Sequence, residues 1–262
     1  MKIIVCVKQV PDTKEVQIDP VTGTLIRQGV PSIMNPDDKN ALEEALKIKD
    51  QRDDVEVVVF SMGPPQAELV LREAYAMGAD QCILLTDRAF AGSDTWATAA
   101  IISSALKKIG NYDIIFCGRQ AIDGDTAQVG PQIAEFLQLP QITYVNQLEI
   151  KDNEVIAHRA VEDGYYVITA KMPVLLTAIK ELNTPRYPSV KGIYDAYRDH
   201  EITVWGLNDI DIARENIGLK GSPTRVKKTF PHAVEFNGEK LKGSESEMAN
   251  TLIVRLKERQ IL

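Results

Sequence analysis

The sequence predicts an α/β protein: a doubly wound, mostly parallel sheet with an antiparallel extension and a C-terminal arm. Three observations carry this. As far as residue 137, short β-branched runs alternate with helical periodicity, the pattern of βαβ units. After Pro140 the runs alternate apolar and polar residues around a turn, as antiparallel strands do. From Leu182 the chain turns irregular and rich in proline (Pro185, Pro188, Pro223, Pro231) before a last helical stretch. The expected organisation is a core over residues 1–190 and an arm over 191–262.

Taken in order, Ile3 to Val7 is a continuous apolar run suited to a central parallel strand. Val16 to Arg27 reads as a hairpin turned at Asp19-Pro20-Val21-Thr22-Gly23. Asn35-Pro36-Asp37-Asp38 reads as a helix start, with an N-cap, proline in the first turn and two acids. Ala41, Leu42, Ala45, Leu46 and Ile48 give that helix its apolar face. Val55 to Phe60 is the second core strand, ended by the breaker cluster Ser61-Met62-Gly63-Pro64-Pro65. Gln66 to Met77 is helical, with Gly78 as its stop. Cys82 to Leu85 is a strand, and Ser93-Asp94 precede a helix running to about Ile109. Tyr112 to Cys117 is the next strand, and Thr126 to Leu137 the next helix. Ile142 to Ile150, Val155 to Val161, Tyr165 to Ala170 and Val174 to Ala178 are read as the antiparallel extension. Ser244 to Arg259 closes the chain as a helix, and the weakly structured stretch before it points to docking on a partner.

The formal net charge of -7 argues against nonspecific nucleic-acid binding, which needs a basic field. Lys227-Lys228 and Arg255, Lys257 and Arg259 read as solvated faces. No apolar run reaches the roughly 18 residues of a membrane span. The opening apolar run stops at Lys8 without a cleavage site, so a cytoplasmic location is expected. Cys6, Cys82 and Cys117 share no metal or redox-motif spacing and read as buried structural thiols in a reducing compartment.

The run from Tyr112 to Val129 is the most informative. An apolar strand ends at Gly118, a polar loop with a second glycine follows, and a helical pattern opens behind Asp125 and Thr126. Strand, glycine loop and helix N-terminus together hold phosphate, through free backbone N–H groups and the helix dipole. Ligands of open α/β sheets bind beyond the strands' carboxyl ends, where strand order reverses. The ends at Cys6-Val7-Lys8-Gln9, Ser61-Met62-Gly63 and Gly118-Arg119-Gln120, closed by Asn35 to Asp38, therefore form a candidate nucleotide crevice. Asn35 also reads as a simple cap, and Gly63 as a tight turn. Asp123 and Asp125 are too few oxygens for a hard cation and read as loop or cap residues; no metal site is expected. The G-x-G-x-x-G and P-loop fingerprints are absent. His158, His200 and His232 have no nucleophile at useful spacing, so no catalytic residue is assigned.

Several segments then match one family together, in its order and spacing. They are Val5-Cys6-Val7-Lys8-Gln9-Val10, Met34-Asn35-Pro36, Ser61-Met62-Gly63-Pro64, Ala76-Met77-Gly78-Ala79-Asp80, Gly118-Arg119-Gln120-Ala121-Ile122-Asp123 and Leu182-Asn183-Thr184-Pro185-Arg186-Tyr187. The chain resembles the β subunit of electron-transfer flavoproteins nearly end to end. The resemblance implies a core of the adenine-nucleotide-binding type and an arm that embraces an α subunit in a heterodimer. It implies a pocket holding AMP or a second FAD, built from Cys6, Asn35, Pro36, Asp37, Asp38, Met62 and the run Gly118, Arg119, Gln120, Ala121, Ile122, Asp123, Gly124, Asp125, Thr126, Ala127, Gln128 and Val129. The Leu182 to Ile193 region matches the family's loop for docking on acyl-CoA dehydrogenases, with Val190 at its apolar anchor.

AMP-type members tend to carry Asp-Asp-Asp-Cys-Asn-Gln in the loop, where this chain has Asp123-Gly124-Asp125-Thr126-Ala127-Gln128. That sequence, and Gly218-Leu219-Lys220-Gly221-Ser222-Pro223, look like the electron-bifurcating and nitrogen-fixation group. Gly124 and Ala127 remove bulk beside the phosphate. The resemblance then implies FAD reduced by NADH, with electrons passed to ferredoxin or flavodoxin and to an acyl-CoA dehydrogenase. Arg119 is the candidate for tuning the flavin. The rival readings are a subunit holding structural AMP and a stand-alone nucleotide-binding regulator of the universal-stress type; the long tail argues against the last.

Overall fold

The computed structural model describes residues 1–12, 31–227 and 238–262. The expected hairpin at Val16 to Arg27, Pro231 and His232 lie outside them. The chain forms two compact units, Met1–Val226 and Lys227–Leu262. Residue 190, the boundary expected from the sequence, falls within the first.

Continuous apolar runs become the central strands. β1 (Lys2–Cys6) leads to a small antiparallel pair, β2 (Gln9–Pro11) and β3 (Ser32–Met34), and then to α1 (Pro36–Gln51). β4 (Glu56–Met62), α2 (Glu68–Met77) and β5 (Gln81–Leu85) follow. Gly78 ends α2 at φ +125°, the conformation that suits glycine. α3 (Thr95–Ile109) is capped by Asp94, whose side chain accepts the Ala97 N–H at 3.0 Å. β6 (Ile114–Gly118) and α4 (Val129–Leu137) complete the alternating half.

The second half contributes β7 (Gln141–Lys151), β8 (Glu154–Val161), β9 (Gly164–Lys171) and β10 (Val174–Ala178). After it come α5 (Val190–Arg198), β11 (Thr203–Trp205) and the short α6 (Gly218–Gly221). The second unit holds α7 (Glu245–Glu258), whose first turn is closed by a Ser244–Glu247 capping box.

The main sheet runs β11-β5-β4-β1-β6-β10-β7-β8-β9. β1 lies parallel between β4 and β6. The chain winds one way through β4 and β5, then returns to place β6 on the other side of β1. Strand order therefore reverses between β1 and β6. Alternate residues of each strand feed two cores. Ile3, Val5 and Phe116 pack with α1 and α2 residues such as Leu42 and Leu71. Ile4, Ile115 and Cys117 pack with α3 and α4 residues such as Ile101 and Ile133.

The structure departs from the sequence reading at three places. Val174 to Ala178 is not part of the antiparallel extension: β10 inserts between β6 and β7 and is parallel to both. Its five residues are buried throughout, as a central strand requires. The fourth helix begins at Val129 rather than Thr126, because Asp125 and Ala127 take left-handed φ values of +54° and +53°. The stretch after Leu182 is more regular than expected: α5 packs on α2, and β11 extends the sheet beside β5.

Candidate functional site

The carboxyl ends of β1, β4, β5 and β6 open into one cavity of about 950 Å3, at the upper end of the roughly 300–1,000 Å3 typical of small-molecule sites. Its floor is Cys6, Val7 and Cys117. One side is Met62 to Pro65, and the opposite side is the loop after β6 from Gly118 to Ala121 and Gly124 to Gly130. The remaining wall runs from Leu85 to Arg88 and Phe90 to Thr95, with Thr98 and Ile102 of α3.

Of the residues chosen from the sequence, Cys6, Asp38, Met62, Gly63, Gly118, Arg119, Gln120, Ala121, Gly124, Asp125, Thr126, Ala127, Gln128 and Val129 line this cavity. Asn35, Pro36, Asp37, Ile122 and Asp123 do not; of these, Asn35, Asp37 and Asp123 contact residues that do. Cys6 is only partly buried and faces the cavity, so it is not the enclosed structural thiol the sequence suggested. Cys82 and Cys117 are buried.

Asn35 and Asp123 hold the loop. Asn35 makes no side-chain cap. Its amide instead donates to the Gln120 carbonyl at 2.8 Å, and its Oδ1 accepts the Ile122 N–H at 3.1 Å. Asp123 takes the Lys8 ammonium at 2.6 Å. Asp125 accepts from the Gln120 side chain. Neither acid caps α4, so the alternative reading of them as loop residues holds. Among the described residues, no group of three or more His, Cys, Asp or Glu is placed to hold a metal ion.

Asp38 ties the two central strand ends together. Its carboxylate accepts the Lys8 N–H at 2.8 Å and the Gly118 N–H at 2.9 Å. Burial outweighs these bonds and pushes its pKa up to about 7. The approach is so close that a Cβ on Gly118 would lie 2.3 Å from Asp38 Oδ1. Beside it, Arg119 Nε sits 3.3 Å from Asp37 Oδ2, at an angle that makes an ion pair but no hydrogen bond. Burial raises the Asp37 pKa against the opposing Arg119 charge.

Two features suit a phosphate. The N–H groups of Thr126, Ala127 and Gln128 have no hydrogen-bond partner among the described residues. They lead directly into the N-terminus of α4. A Cβ added to Gly124 would meet nothing within 4 Å.

Sequence reasoning missed the Leu85 to Asp94 wall. The strand-end rule applied to β5 as well as to its neighbours would have found it. The 218–223 motif braces this wall. Ser222 Oγ accepts the Asp94 N–H at 2.9 Å, and Gly218, at φ +59°, packs so tightly that a Cβ would lie 2.5 Å from the Ala89 carbonyl oxygen. The two described histidines have structural neighbours: His158 stacks on Tyr165 and His200 on Tyr75.

Leu182 and Val190 lie away from the cavity. Leu182 is buried, whereas Val190 is 87% exposed at the start of α5. The intervening segment is fastened to α1. Arg186 grips Glu43 with two nitrogens at 2.9 and 3.1 Å and reaches Asp50 at 2.6 Å. Asn183 and Asn40 exchange hydrogen bonds beside it.

The model of the electron transfer flavoprotein domain family matches residues 22–209. The chain belongs to this family. It is 58% identical to the "Electron transfer flavoprotein subunit beta" of Thermoanaerobacterium thermosaccharolyticum over the whole of both chains. It is 55% identical to the "Caffeyl-CoA reductase-Etf complex subunit CarD" of Acetobacterium woodii, again over the whole of both. It is 47% identical to "Protein FixA" of Sinorhizobium fredii, over 88% of this chain and 83% of that one. Together these place it among electron-transfer flavoprotein β subunits, with relatives in the nitrogen-fixation group. No helix among the described residues is long and apolar enough to cross a membrane.

Proposed function

We propose that this chain is the β subunit of a heterodimeric electron-transfer flavoprotein, and that its crevice binds FAD and receives hydride from NADH. Electrons then pass to an acyl-CoA dehydrogenase and to a low-potential acceptor such as ferredoxin or flavodoxin. The observation that carries this reading is the loop after β6. Its N–H groups at Thr126 to Gln128 have no partner among the described residues, and Gly124 leaves open space beside them within a cavity of about 950 Å3. That space suits a pyrophosphate, with room for a dinucleotide.

A bound flavin would supply both hydride and one-electron chemistry, which no protein side chain can. The chain's own residues bind and orient. The 126–128 N–H groups and the α4 N-terminus would hold phosphate. Arg119 would place positive charge at the cavity wall, its position set by Asp37. Asp123 holds Lys8 at the cavity edge. The exposed Tyr187, Val190 and Tyr194, displayed by the Arg186 clamp, are the proposed dehydrogenase contact.

The alternative is a subunit that holds structural AMP and only docks dehydrogenases; the same loop would take a single phosphate. Purifying the αβ complex and counting flavins separates the two. Two FAD per heterodimer with bleaching by NADH supports the first reading. One FAD, one AMP and no NADH reduction overturns it in favour of the second.

A further inference from the structure

Two of the chain's three cysteines meet at the cavity floor. The ladder between β1 and β6 pairs Ile3 with Ile114, Ile4 with Ile115 and Val5 with Phe116. The next step sets Cys6 beside Cys117. Both side chains point to the same face, since both pack on the core formed with α3 and α4. Adjacent strands lie ~4.8 Å apart, and a disulfide bridges Cα atoms roughly 4.4–6.8 Å apart. Both residues line the cavity, and Cys6 is the more accessible.

We propose that Cys6 and Cys117 form a dithiol site that hydrogen peroxide converts to an internal disulfide across the strand-order switch. The Cys6 sulfur, as thiolate, attacks one peroxide oxygen. An S–O bond forms, the O–O bond breaks, and hydroxide leaves to become water. The Cys117 sulfur then attacks the Cys6 sulfur. The S–S bond forms, the S–O bond breaks, and a second water leaves with the Cys117 proton. Two thiols lose two electrons, and the peroxide is reduced to two waters.

The division of labour follows from the environments. The neighbouring Cys6 thiol first, and burial second, hold the Cys117 thiol well above its ordinary range, so Cys117 makes a poor first nucleophile. It is placed instead to resolve what forms on Cys6. Cys82 has no such neighbour. It is fully buried, its thiol donates to the Leu71 carbonyl at 3.3 Å, and burial pushes its pKa far up. The site depends on strand register alone and holds whichever nucleotide the crevice takes.

The test uses the full-length reduced chain, treated with hydrogen peroxide under native conditions, then alkylated and mapped by mass spectrometry. The expected result is loss of two of the three free thiols, a peptide link between Cys6 and Cys117 reversed by dithiothreitol, and an unmodified Cys82. In Cys117→Ala the reaction should stop at a sulfenic acid on Cys6, trapped by dimedone. In Cys6→Ala, Cys117 should lose its thiol at least tenfold more slowly. A wild-type chain in which Cys6 proceeds to sulfinic acid while Cys117 keeps its thiol, or in which the link involves Cys82, overturns the proposal. The wild-type map decides the question even if either variant folds poorly.

Discussion

Asn35 and Ile122 are joined by a 3.1 Å bond from the Ile122 N–H to the Asn35 Oδ1, while the same side chain donates to Gln120. A fully buried amide at the start of α1 thus sets the path of the loop after β6. Asn35→Ala leaves a carbonyl and an N–H without partners, at a cost of about 2 kcal/mol. The variant should lose that much stability in urea denaturation, and its nucleotide affinity should fall about tenfold. Asn35→Asp keeps an acceptor for the Ile122 N–H but sets a buried carboxylate oxygen against the Gln120 carbonyl, so it should be no more stable than alanine.

Gly124 offers a cleaner probe of the ligand. Its φ is not in the left-handed region, and its added Cβ meets no protein atom. Gly124→Val should therefore fold normally, with a melting temperature within about 2 °C of wild type. Its side chain fills the space proposed for phosphate, so flavin content of the purified complex should drop sharply. Unchanged flavin content would contradict that placement.

Asp38 makes stability depend on pH. A carboxylate in the unfolded chain titrates near ~3.9, and in the folded chain burial lifts it to about 7. Between these values the unfolded chain has released a proton that the folded chain keeps. The Asp38 contribution is thus largest below the unfolded value and is lost as pH rises through about 7. The stability difference between wild type and Asp38→Asn should shrink from pH 5 to pH 8, measured by denaturant titration. A pH-independent difference would mean that Asp38 keeps an ordinary carboxylate pKa.

Arg186 holds a nearly buried Glu43 in a two-pronged grip. Arg186→Ala leaves that carboxylate without its counter-charge, holding only the residue-186 backbone N–H, and should cost about 2 kcal/mol. Arg186→Lys keeps the charge but not the fork and should recover only part of this. If α5 carries the dehydrogenase contact, both variants should also weaken dehydrogenase binding, in the same order, by surface plasmon resonance. Equal binding by all three proteins would separate the clamp from docking.

The parallel core was legible because β1, β4, β5 and β6 are short apolar runs ended by glycine or polar residues. The crevice residues on those strand ends were legible for the same reason. The start of α4 was not, because the sequence carries no mark that Asp125 and Ala127 adopt left-handed backbone without glycine. Asn35 has the right residue type for a cap, and only the tertiary fold brings Gln120 and Ile122 within its reach. β10 did announce itself: Val174-Leu175-Leu176 lacks the alternation of β8 and belongs to a strand covered on both faces. It follows three alternating strands, and position along the chain, not pattern, is all that links it to them. β11 is three residues long and depends on β5 for its pairing, so its own sequence says little.

The place of β10 between β6 and β7 also dictates an order of assembly. β7 leaves the ribosome first, yet its partner toward the sheet is made later. Until residues 174–178 emerge, the β7–β8–β9 meander has only itself to pair with and β6 has an open edge. Every residue lining the cavity lies before position 134, so the pocket's parts are all synthesised while one flank of its central strand is still bare. The nascent chain is therefore most exposed to faulty edge pairing between the making of β6 and the arrival of β10. A nucleotide that gathers the β1 and β6 ends during that interval would act as a folding template before it acts as a cofactor.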